Sequence, residues 1–204
     1  MIGLTGGTGF LGHSLLNVMG VDNLKCFGRE KPSKIPDSFF YKGEINGDVD
    51  FRAFVSGVEC IIHCAGRVHV LEDDSINPLG AYRETNTAGT LNLTQQAANA
   101  GVKRFIFISL IKVNGESTEL GRPFTSVDSF IPIDPYGLSK YEAEAGLRKI
   151  AQHTGMEVVI IRPPLFSGAG VKANFAALLM IVKKGIPLPF GLIKGTSNNS
   201  TNVV

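Results

Sequence analysis

The chain opens with an apolar run, a glycine-rich turn and a helix-forming segment, and this order constrains its fold more than any other feature. "MIGLT" has the composition of a buried strand, and "FLGHSLLNVMG" carries apolar residues at helical spacing. Between them, Gly6, Gly9 and Gly12 give G-x-x-G-x-x-G spacing. Early glycines let the backbone approach a pyrophosphate closely, and the third lets the helix pack tightly on the sheet. The segment therefore predicts a dinucleotide-binding turn, with a plain turn as the alternative.

The rest of the chain repeats this alternation of strands and helices. "VKRFIFISL" and "MEVVIIRP" are nearly continuous apolar runs, as expected for strands buried on both faces. Helical patterns from about Ala81 to Ala100 and from Asp134 to about Thr154 precede these runs, and each ends at a glycine. Strands separated by crossover helices predict an α/β fold: a Rossmann-type, doubly wound parallel sheet with helices on both faces.

Composition and charge exclude several classes of protein. A chain of 204 residues with net charge +2 and no basic run gives no case for nucleic-acid binding. The longest apolar stretch, "FAALLMIV", is far shorter than the roughly 20 residues that a membrane span needs. Cys26, Cys60 and Cys64 lack C-x-x-C spacing, lie in apolar runs and are expected to be buried reduced thiols. We expect a cytoplasmic protein without a metal site or a membrane span.

The segment "DPYGLSK" places a phenol and an ammonium one helical turn apart. Asp134 is suited to cap the helix, and Pro135 suits its first turn. Tyr136 and Lys140, four positions apart, then project from the same face. A phenol, with a pKa of about 10, is a poor base, but a nearby ammonium and the helix dipole favour the phenolate. We predict an acid/base tyrosine with a pKa lowered by Lys140; the alternative is an ordinary helix start with two surface residues.

The second strand bears on the choice of cofactor. It ends in "CFGRE", with Arg29 near the place where NAD-specific sites usually carry an acidic residue for the ribose hydroxyl. An arginine there either holds a 2′-phosphate, which favours NADP, or is simply solvated. The expected cofactor is therefore NAD or NADP, with a preference for NADP.

Seven segments together resemble one known family. In chain order they are "TGGTGFLG", "GEI", "IIHCAGRVH", "NTAGTLNL", "FISLIKVNG", "YGLSK" and "IIRPPLFSGAG". Several are generic alone, but their order and spacing resemble the extended short-chain dehydrogenase/reductase family. Within it, the chain is most similar to the UDP-sugar 4-epimerases, dehydratases and 4-keto reductases of bacterial surface-polysaccharide synthesis.

The resemblance implies roles for individual residues. Glu44 and Ile45 would lie beside the adenine, Asn86 would support the site, and Pro163 would border the nicotinamide. Lys140 would bind the nicotinamide ribose hydroxyls as well as tuning the tyrosine. The alternative for Asn86 is a helix cap. The complete set of expected cofactor-binding residues is Gly6, Gly9, Phe10, Leu11, Gly12, Arg29, Glu44, Ile45, Cys64, Ala65, Gly66, Asn86, Tyr136, Lys140 and Pro163.

The substrate side is also implied by the resemblance. Asn174 and Phe175 fall where such enzymes contact the diphosphate of a nucleotide sugar, although Asn174 could equally be a surface amide. Relatives continue further than Val204, so we expect residues 1–170 to form the NAD(P)-binding domain. Residues 171–204 would then begin an incomplete substrate-binding lobe with a polar tail.

One departure from the family pattern concerns catalysis. Members usually carry Ser or Thr three positions before the Val of "VNG", where this chain has Leu110. Ser109 is adjacent, but on a strand it should point to the opposite face, and it would serve only if the strand end bulges. The catalytic candidates are therefore Tyr136, Lys140 and Ser109.

These features leave three interpretations open. The first is hydride transfer at a sugar C4, weak or absent in this chain, with a UDP-sugar as substrate. The second is a non-catalytic dinucleotide-binding module, a sensor or degenerate remnant, which Leu110 and the short length favour. The third is a fragment or variant of a longer active enzyme. A homodimer is also an open alternative.

Overall fold

The computed structural model describes residues 1–68, 77–118 and 121–164, and the backbone of 166–167 and 201–202. Its centre is a six-stranded parallel sheet with the strand order β3-β2-β1-β4-β5-β6. The six strands are β1 (Ile2–Thr5), β2 (Leu24–Gly28), β3 (Phe40–Lys42), β4 (Cys60–His63), β5 (Arg104–Ile108) and β6 (Glu157–Ile161). This is the doubly wound Rossmann order, and the predicted fold class is confirmed.

Helices connect the strands. They are α1 (Phe10–Met19), α2 (Arg52–Val55), α3 (Pro78–Tyr82), α4 (Thr90–Asn99) and α5 (Pro135–Thr154). Short 3₁₀ turns lie at Asp37–Phe39 and Ile111–Val113, and a separate two-residue parallel pair joins β7 (Phe166–Ser167) to β8 (Thr201–Asn202). Within the described ranges, no helix is both long and apolar enough to cross a membrane.

The helix predicted over about 81–100 begins earlier and contains an irregular turn. A π-helical segment, Arg83–Gly89, joins α3 directly to α4 without a break in the helical backbone. The helix starts at Pro78 because the side chain of Asn77 accepts a hydrogen bond from the amide of Gly80 at 3.0 Å. This capping interaction supplies a start signal that the apolar spacing alone did not contain.

Local chemistry sets both ends of α5 as predicted. The carboxylate of Asp134 accepts a hydrogen bond from the amide of Gly137 at 2.8 Å, and Pro135 occupies the first turn. At the other end Gly155 has φ +75°, the left-handed conformation that glycine adopts without steric cost. The helix that carries Tyr136 and Lys140 is therefore fixed by its flanking residues.

Apolar side chains cover both faces of the sheet. The cluster beneath α4 and α5 includes Phe51, Phe54, Leu93, Phe105, Phe107 and Leu147. The smaller cluster beneath α1 consists of Leu4, Leu16, Leu24, Cys26 and Ile35. The clusters hold α1 and α5 on opposite faces of the sheet. Because α1 follows β1 and α5 follows β5 in a parallel sheet, the N-termini of both helices lie toward its carboxyl edge.

Two burial predictions need correction. On β5, Phe105 and Phe107 are buried, but on the other face Ile106 and Ile108 are half-buried and Arg104 is exposed, and no residue of β6 is fully buried. Because β6 is the last strand of the described sheet, Ile161 remains 43% exposed. All three cysteines are free thiols as expected, but only Cys26 is buried, since Cys60 and Cys64 are at strand ends and half-buried.

Candidate functional site

The glycine turn after β1 is shaped by close backbone contacts. Gly6 has φ +72°, and a Cβ there would lie 2.6 Å from the amide nitrogen of Ala65 in the turn after β4. A Cβ on Gly12 would overlap the carbonyl oxygen of Gly6. Gly9 begins α1 without a side-chain cap, and the first turn of α1 contains no acidic residue. The first amides of α1 are thus available to an anion at the carboxyl edge of the sheet.

A buried chain of hydrogen bonds fastens this turn to its neighbours. The hydroxyl of Thr5 lies 2.7 Å from Nδ1 of His63, and Nε2 lies 2.9 Å from the hydroxyl of Thr90 on α4. Thr5 also accepts a hydrogen bond from the amide of Ala65 at 3.2 Å. Burial, and secondarily the charge of Lys140, lower the pKa of His63 to about 3, so the imidazole is neutral at pH 7.

Asn86 joins the β4 turn to α5. It lies in the π-helical segment, and its Oδ1 accepts a hydrogen bond from the amide of Arg67 at 2.8 Å. Its Nδ2 donates at 3.0 Å to the carbonyl of Arg67 and to the hydroxyl of Ser139. A Cβ on Gly66 would lie 3.1 Å from Asn86 Oδ1 and 3.3 Å from Lys140 Nζ. Asn86 therefore bridges two segments of the site and is not a helix cap.

Lys140 is buried beside the β4 turn. It is 4% exposed, and its Nζ donates to the carbonyl of Ile108 at 3.0 Å. The ammonium also lies 4.5 Å from the centroid of the Phe107 ring. Burial lowers the pKa of Lys140 to about 8, although Cys64 and Glu144 act in the opposite direction. Lys140 is accordingly mostly protonated at neutral pH, and the strand end and the aromatic ring hold it in place.

The predicted lowering of the Tyr136 pKa is wrong for this structure. Burial, and to a lesser degree the charge of Asp134 and the neighbouring Tyr82, raise the pKa of Tyr136 to about 12. The helix cap two residues before the phenol thus opposes the helix dipole that was expected to favour the phenolate. The Tyr82 ring lies 5.8 Å from the Tyr136 ring, centroid to centroid. At neutral pH the phenol retains its proton and is suited to donate it.

The hydroxyl of Ser109 is engaged in a buried contact. It donates to Oε1 of Glu144 on α5 at 2.6 Å. The amide of Ser109 donates to the carbonyl of Ile161 at 2.8 Å, which continues the pairing of β5 with β6. No bulge therefore redirects the side chain at this point of the described sheet. Leu110 follows in extended conformation, at the position where members of the family usually carry a hydroxyl. The catalytic role of Ser109 stays a prediction.

The residues predicted to lie near the adenosine come directly or shortly after the ends of strands β2 and β3. Arg29, directly after β2, is exposed. Glu44, shortly after β3, is also exposed, whereas Ile45 is buried and 8% accessible. A Cβ on Gly89 would lie 2.6 Å from the Ile45 side chain, so the π-helical segment packs closely on this region.

The remaining predicted residues are distributed along the same edge or lie outside the described chain. Phe10 and Leu11 form the first turn of α1. Pro163, after β6, is buried, and its carbonyl accepts a hydrogen bond from the amide of Ile111 at 3.3 Å. Asn174 and Phe175 lie outside the described residues. Where side chains are described, no group of three or more His, Cys, Asp or Glu could hold a metal ion.

Sequence reasoning missed several residues of the site. Thr5 and His63 flank the two turns, and their pairing depends on the adjacency of β1 and β4. Arg67 stands over the ring of Tyr82, with its guanidinium carbon 5.5 Å from the centroid. Ser139, inside "YGLSK", donates to the carbonyl of Tyr136 at 2.7 Å. A threonine before the glycine turn and a histidine ending β4 were the available signals.

The strand order, the glycine turn and a tyrosine and lysine one turn apart define a Rossmann-type short-chain dehydrogenase/reductase. More narrowly, the chain belongs to the NAD dependent epimerase/dehydratase family, whose model matches residues 2–189. The resemblance inferred from the seven motifs is thereby confirmed.

Individual relatives agree with this assignment. The chain is 50% identical over 193 residues to a UDP-glucose 4-epimerase of Vibrio cholerae, covering 93% of this chain and 59% of the relative. A second UDP-glucose 4-epimerase, from Halalkalibacterium halodurans, is 28% identical over 181 residues, covering 84% of this chain and 52% of the relative. The chain thus spans between half and three-fifths of the length of these two relatives.

Solved structures show the same fold. The UDP-glucose 4-epimerase of Thermotoga maritima, solved with UDP-glucose, superposes with a TM-score of 0.71 at 25% identity, covering 90% of this chain and 63% of that chain. A short-chain dehydrogenase/reductase superfamily protein from Agrobacterium tumefaciens, solved with bound NAD, superposes with a TM-score of 0.70 at 26% identity. The match covers 83% of this chain and 50% of that chain.

Proposed function

We propose that this chain binds NAD or NADP at the carboxyl edge of the sheet, between the turns after β1 and β4. The observation that carries the proposal is the closely packed glycine turn at the uncapped start of α1. A side chain at Gly6 or Gly12 would meet backbone atoms, and no acidic residue lies in the first turn of α1. An anionic pyrophosphate fits such a helix start, because unpaired amides and the positive end of the helix dipole face it.

The remaining binding roles follow the same edge. The turn of residues 64–66 would line the cofactor, and Lys140, held over Phe107, would donate to the ribose hydroxyls. Pro163 would border the nicotinamide, and Arg29 would decide between NAD and NADP. A solvent-exposed arginine after β2 remains available to a 2′-phosphate, which supports a preference for NADP.

The proposed chemistry is proton transfer at the C4 oxygen of a UDP-sugar, coupled to hydride transfer. The nicotinamide would supply the hydride chemistry. Tyr136, protonated at neutral pH, would donate its proton to the C4 oxygen when a C4 carbonyl is reduced to the hydroxyl. In the opposite direction the phenolate left by that donation would take the proton back from the C4 hydroxyl, and the Lys140 ammonium on the same helical face would stabilise this phenolate. The UDP-glucose 4-epimerases named above support a UDP-sugar as the substrate class.

We further propose that turnover by these residues alone is slow. Leu110 offers no hydrogen-bond donor, and the Ser109 hydroxyl is bound to Glu144. The second candidate function, a non-catalytic dinucleotide-binding module, is favoured by the same two observations. The division into a domain of residues 1–170 and a partial lobe from 171, a cytoplasmic location, a role in polysaccharide synthesis and a homodimer belong to the proposal as well.

Calorimetric titration with NAD and NADP tests the binding proposal. Gly9→Val should abolish binding, because a branched side chain would occupy the space that the pyrophosphate approaches. Gly101→Ala, with φ +82° at an open position away from the site, controls for a general loss of stability. Equal binding by wild type and Gly9→Val would contradict the assignment of the turn.

The cofactor preference has its own variant. Arg29→Ala should weaken NADP binding by about one to two decades and leave NAD binding nearly unchanged, since a charge-assisted hydrogen bond is worth roughly 1.5–3 kcal/mol. If wild type binds both cofactors equally, Arg29 is a solvated charge.

A further inference from the structure

Glu144 is a buried carboxylate on α5, one turn after Lys140, and the function proposed above leaves it without a role. It is 2% exposed. Its oxygens accept from the hydroxyl of Ser109 at 2.6 Å, from Arg162 Nε and Nη2 at 2.9 and 2.6 Å, and from Arg148 Nη2 at 3.2 Å. A carboxylate removed from water is stabilised when several donors replace its hydration, as they do here.

The donors come from different parts of the fold. Ser109 follows β5, and Arg162 follows β6, so one carboxylate links the ends of two adjacent strands to α5. Through Nη1, Arg162 also donates to the carbonyl of Asp128 at 2.8 Å, in the loop that precedes α5. Glu144 is thus the junction of two strands, a helix and a loop.

The same junction adjoins the anchor of the Lys140 ammonium. Lys140 donates to the carbonyl of Ile108, and Ile108 directly precedes the serine that donates to Glu144. Helix α5 therefore contacts the end of β5 at two consecutive residues, once through an ammonium and once through a carboxylate. Because the peptide bond between them is planar and stiff, a movement at one contact displaces the other.

We infer that Glu144 is a positioning residue, which fixes the ends of β5 and β6 against α5 and thereby holds the Lys140 ammonium at the proposed site. The catalytic consequence rests on the proposed function, but the effect on Lys140 does not require a cofactor. The titratable groups that interact with Lys140 are His63 at the end of β4, Cys64 directly after it, and Glu144 on its own helix, with Arg162 behind Glu144.

The test is an NMR titration of the Lys140 amine in protein labelled with ¹³C at lysine Cε, with Lys140→Arg used to assign the signal. Glu144→Gln retains the shape but removes the charge, and it leaves the Arg162 guanidinium without its carboxylate. The titration midpoint of Lys140 should fall by roughly one pH unit, as expected when a nearby opposite charge is lost. Arg162→Met should instead raise the midpoint, because the carboxylate then acts on Lys140 with less compensation. General loosening of the fold cannot produce opposite signs.

Glu142→Gln is the matched control, since Glu142 lies on the same helix but pairs with Arg83 near the surface. It should leave the Lys140 midpoint unchanged. If both charge variants fail to fold, Ser109→Ala becomes the deciding variant. It removes one neutral donor from Glu144, and the titration midpoint of Lys140 should rise by less than the rise expected for Arg162→Met. An unchanged midpoint in every folded variant overturns the inference and leaves Glu144 as a structural ion pair. If the wild type binds no dinucleotide, the proposed function is contradicted instead. The titration of Lys140 does not depend on that result.

Discussion

The two halves of the sheet build their parts of the site from different materials. On the side of β1 and β4, glycines, backbone amides and the uncharged group of Thr5, His63 and Thr90 form the turns. On the side of β5 and β6, the ammonium of Lys140 and the ion pair of Glu144 with Arg162 are buried. Backbone amides can attract a phosphate without any charged side chain, whereas proton transfer is assisted by a fixed charge, and burying that charge requires compensation.

This comparison predicts that charge removal on the β5–β6 side is most costly where the charge is buried. Arg162→Met should lower the free energy of unfolding by about 3–5 kcal/mol, because it leaves a buried carboxylate without its main partner. Arg104→Met, on the same two strands, breaks an ion pair in which both side chains are about half exposed, and it should cost much less. Urea denaturation of both variants measures the difference, and equal costs would show that burial of the charge does not determine its contribution to stability.

A second variant adds the missing donor on the same side. Leu110→Ser should raise turnover of a UDP-sugar in the presence of cofactor by about a hundred- to a thousandfold, since one such donor typically contributes that much. Tyr136→Phe, alone or combined with Leu110→Ser, should abolish turnover. A rapid wild-type reaction that is lost in Ser109→Ala would show instead that Ser109 leaves Glu144 during catalysis.

On the side of β1 and β4, His63 should make the free energy of unfolding depend on pH. Its folded pKa of about 3 is below the ordinary value of 6.5, so the unfolded chain binds the additional proton. The stability that depends on neutral His63 is present above about pH 6.5 and is lost as the pH falls towards 3, at up to about 1.4 kcal/mol per pH unit.

Urea denaturation at pH 7 and pH 5 measures this dependence. His63→Asn should be less stable than wild type at pH 7 but should lose less stability between the two pH values. His153→Asn replaces an exposed histidine and should follow the wild type. If His63→Asn and wild type show the same loss, the imidazole does not control the acid sensitivity of this half.

The smallest expected effect concerns Asp134, the residue that caps the N-terminus of α5. Asp134→Ala should cost about 1 kcal/mol of stability, because the amide of Gly137 loses its acceptor. It should also lower the pKa of Tyr136 from about 12, since the second-largest cause of the shift is removed. Tyrosinate absorbance, with Tyr136→Phe to identify the signal, reports the change, and an unmoved titration would leave burial and Tyr82 as the causes.

The sequence predicted those features that are encoded locally. The turn with Gly6 and Gly9, and the helix from Pro135 to Gly155, follow from glycine spacing, a proline and a capping carboxylate within a few residues. The parallel, doubly wound sheet followed because crossover helices between apolar runs permit few topologies.

The features that the sequence did not predict depend on distant contacts. Ser109 and Glu144 are separated by 35 positions, and Thr5 and His63 by 58, so no local pattern reveals either pair. The direction of the Tyr136 pKa shift was wrong because burial, its largest cause, is a property of the folded chain. Helical spacing places Tyr136 and Lys140 on one face but does not specify how much water surrounds them.

The π-helical segment Arg83–Gly89 has a consequence for how this protein tolerates changes in length. A π turn holds one more residue than an α turn, so the additional residue is accommodated by a local widening of the helix. Deleting a single residue there would restore a regular α-helix and leave Tyr82 and Thr90 close to their present relative orientation. The helix and the core beneath α4 would survive, but Asn86 and Thr87 would shift relative to Ser139, with which both form hydrogen bonds. A one-residue deletion at this place would therefore alter the site without unfolding the protein.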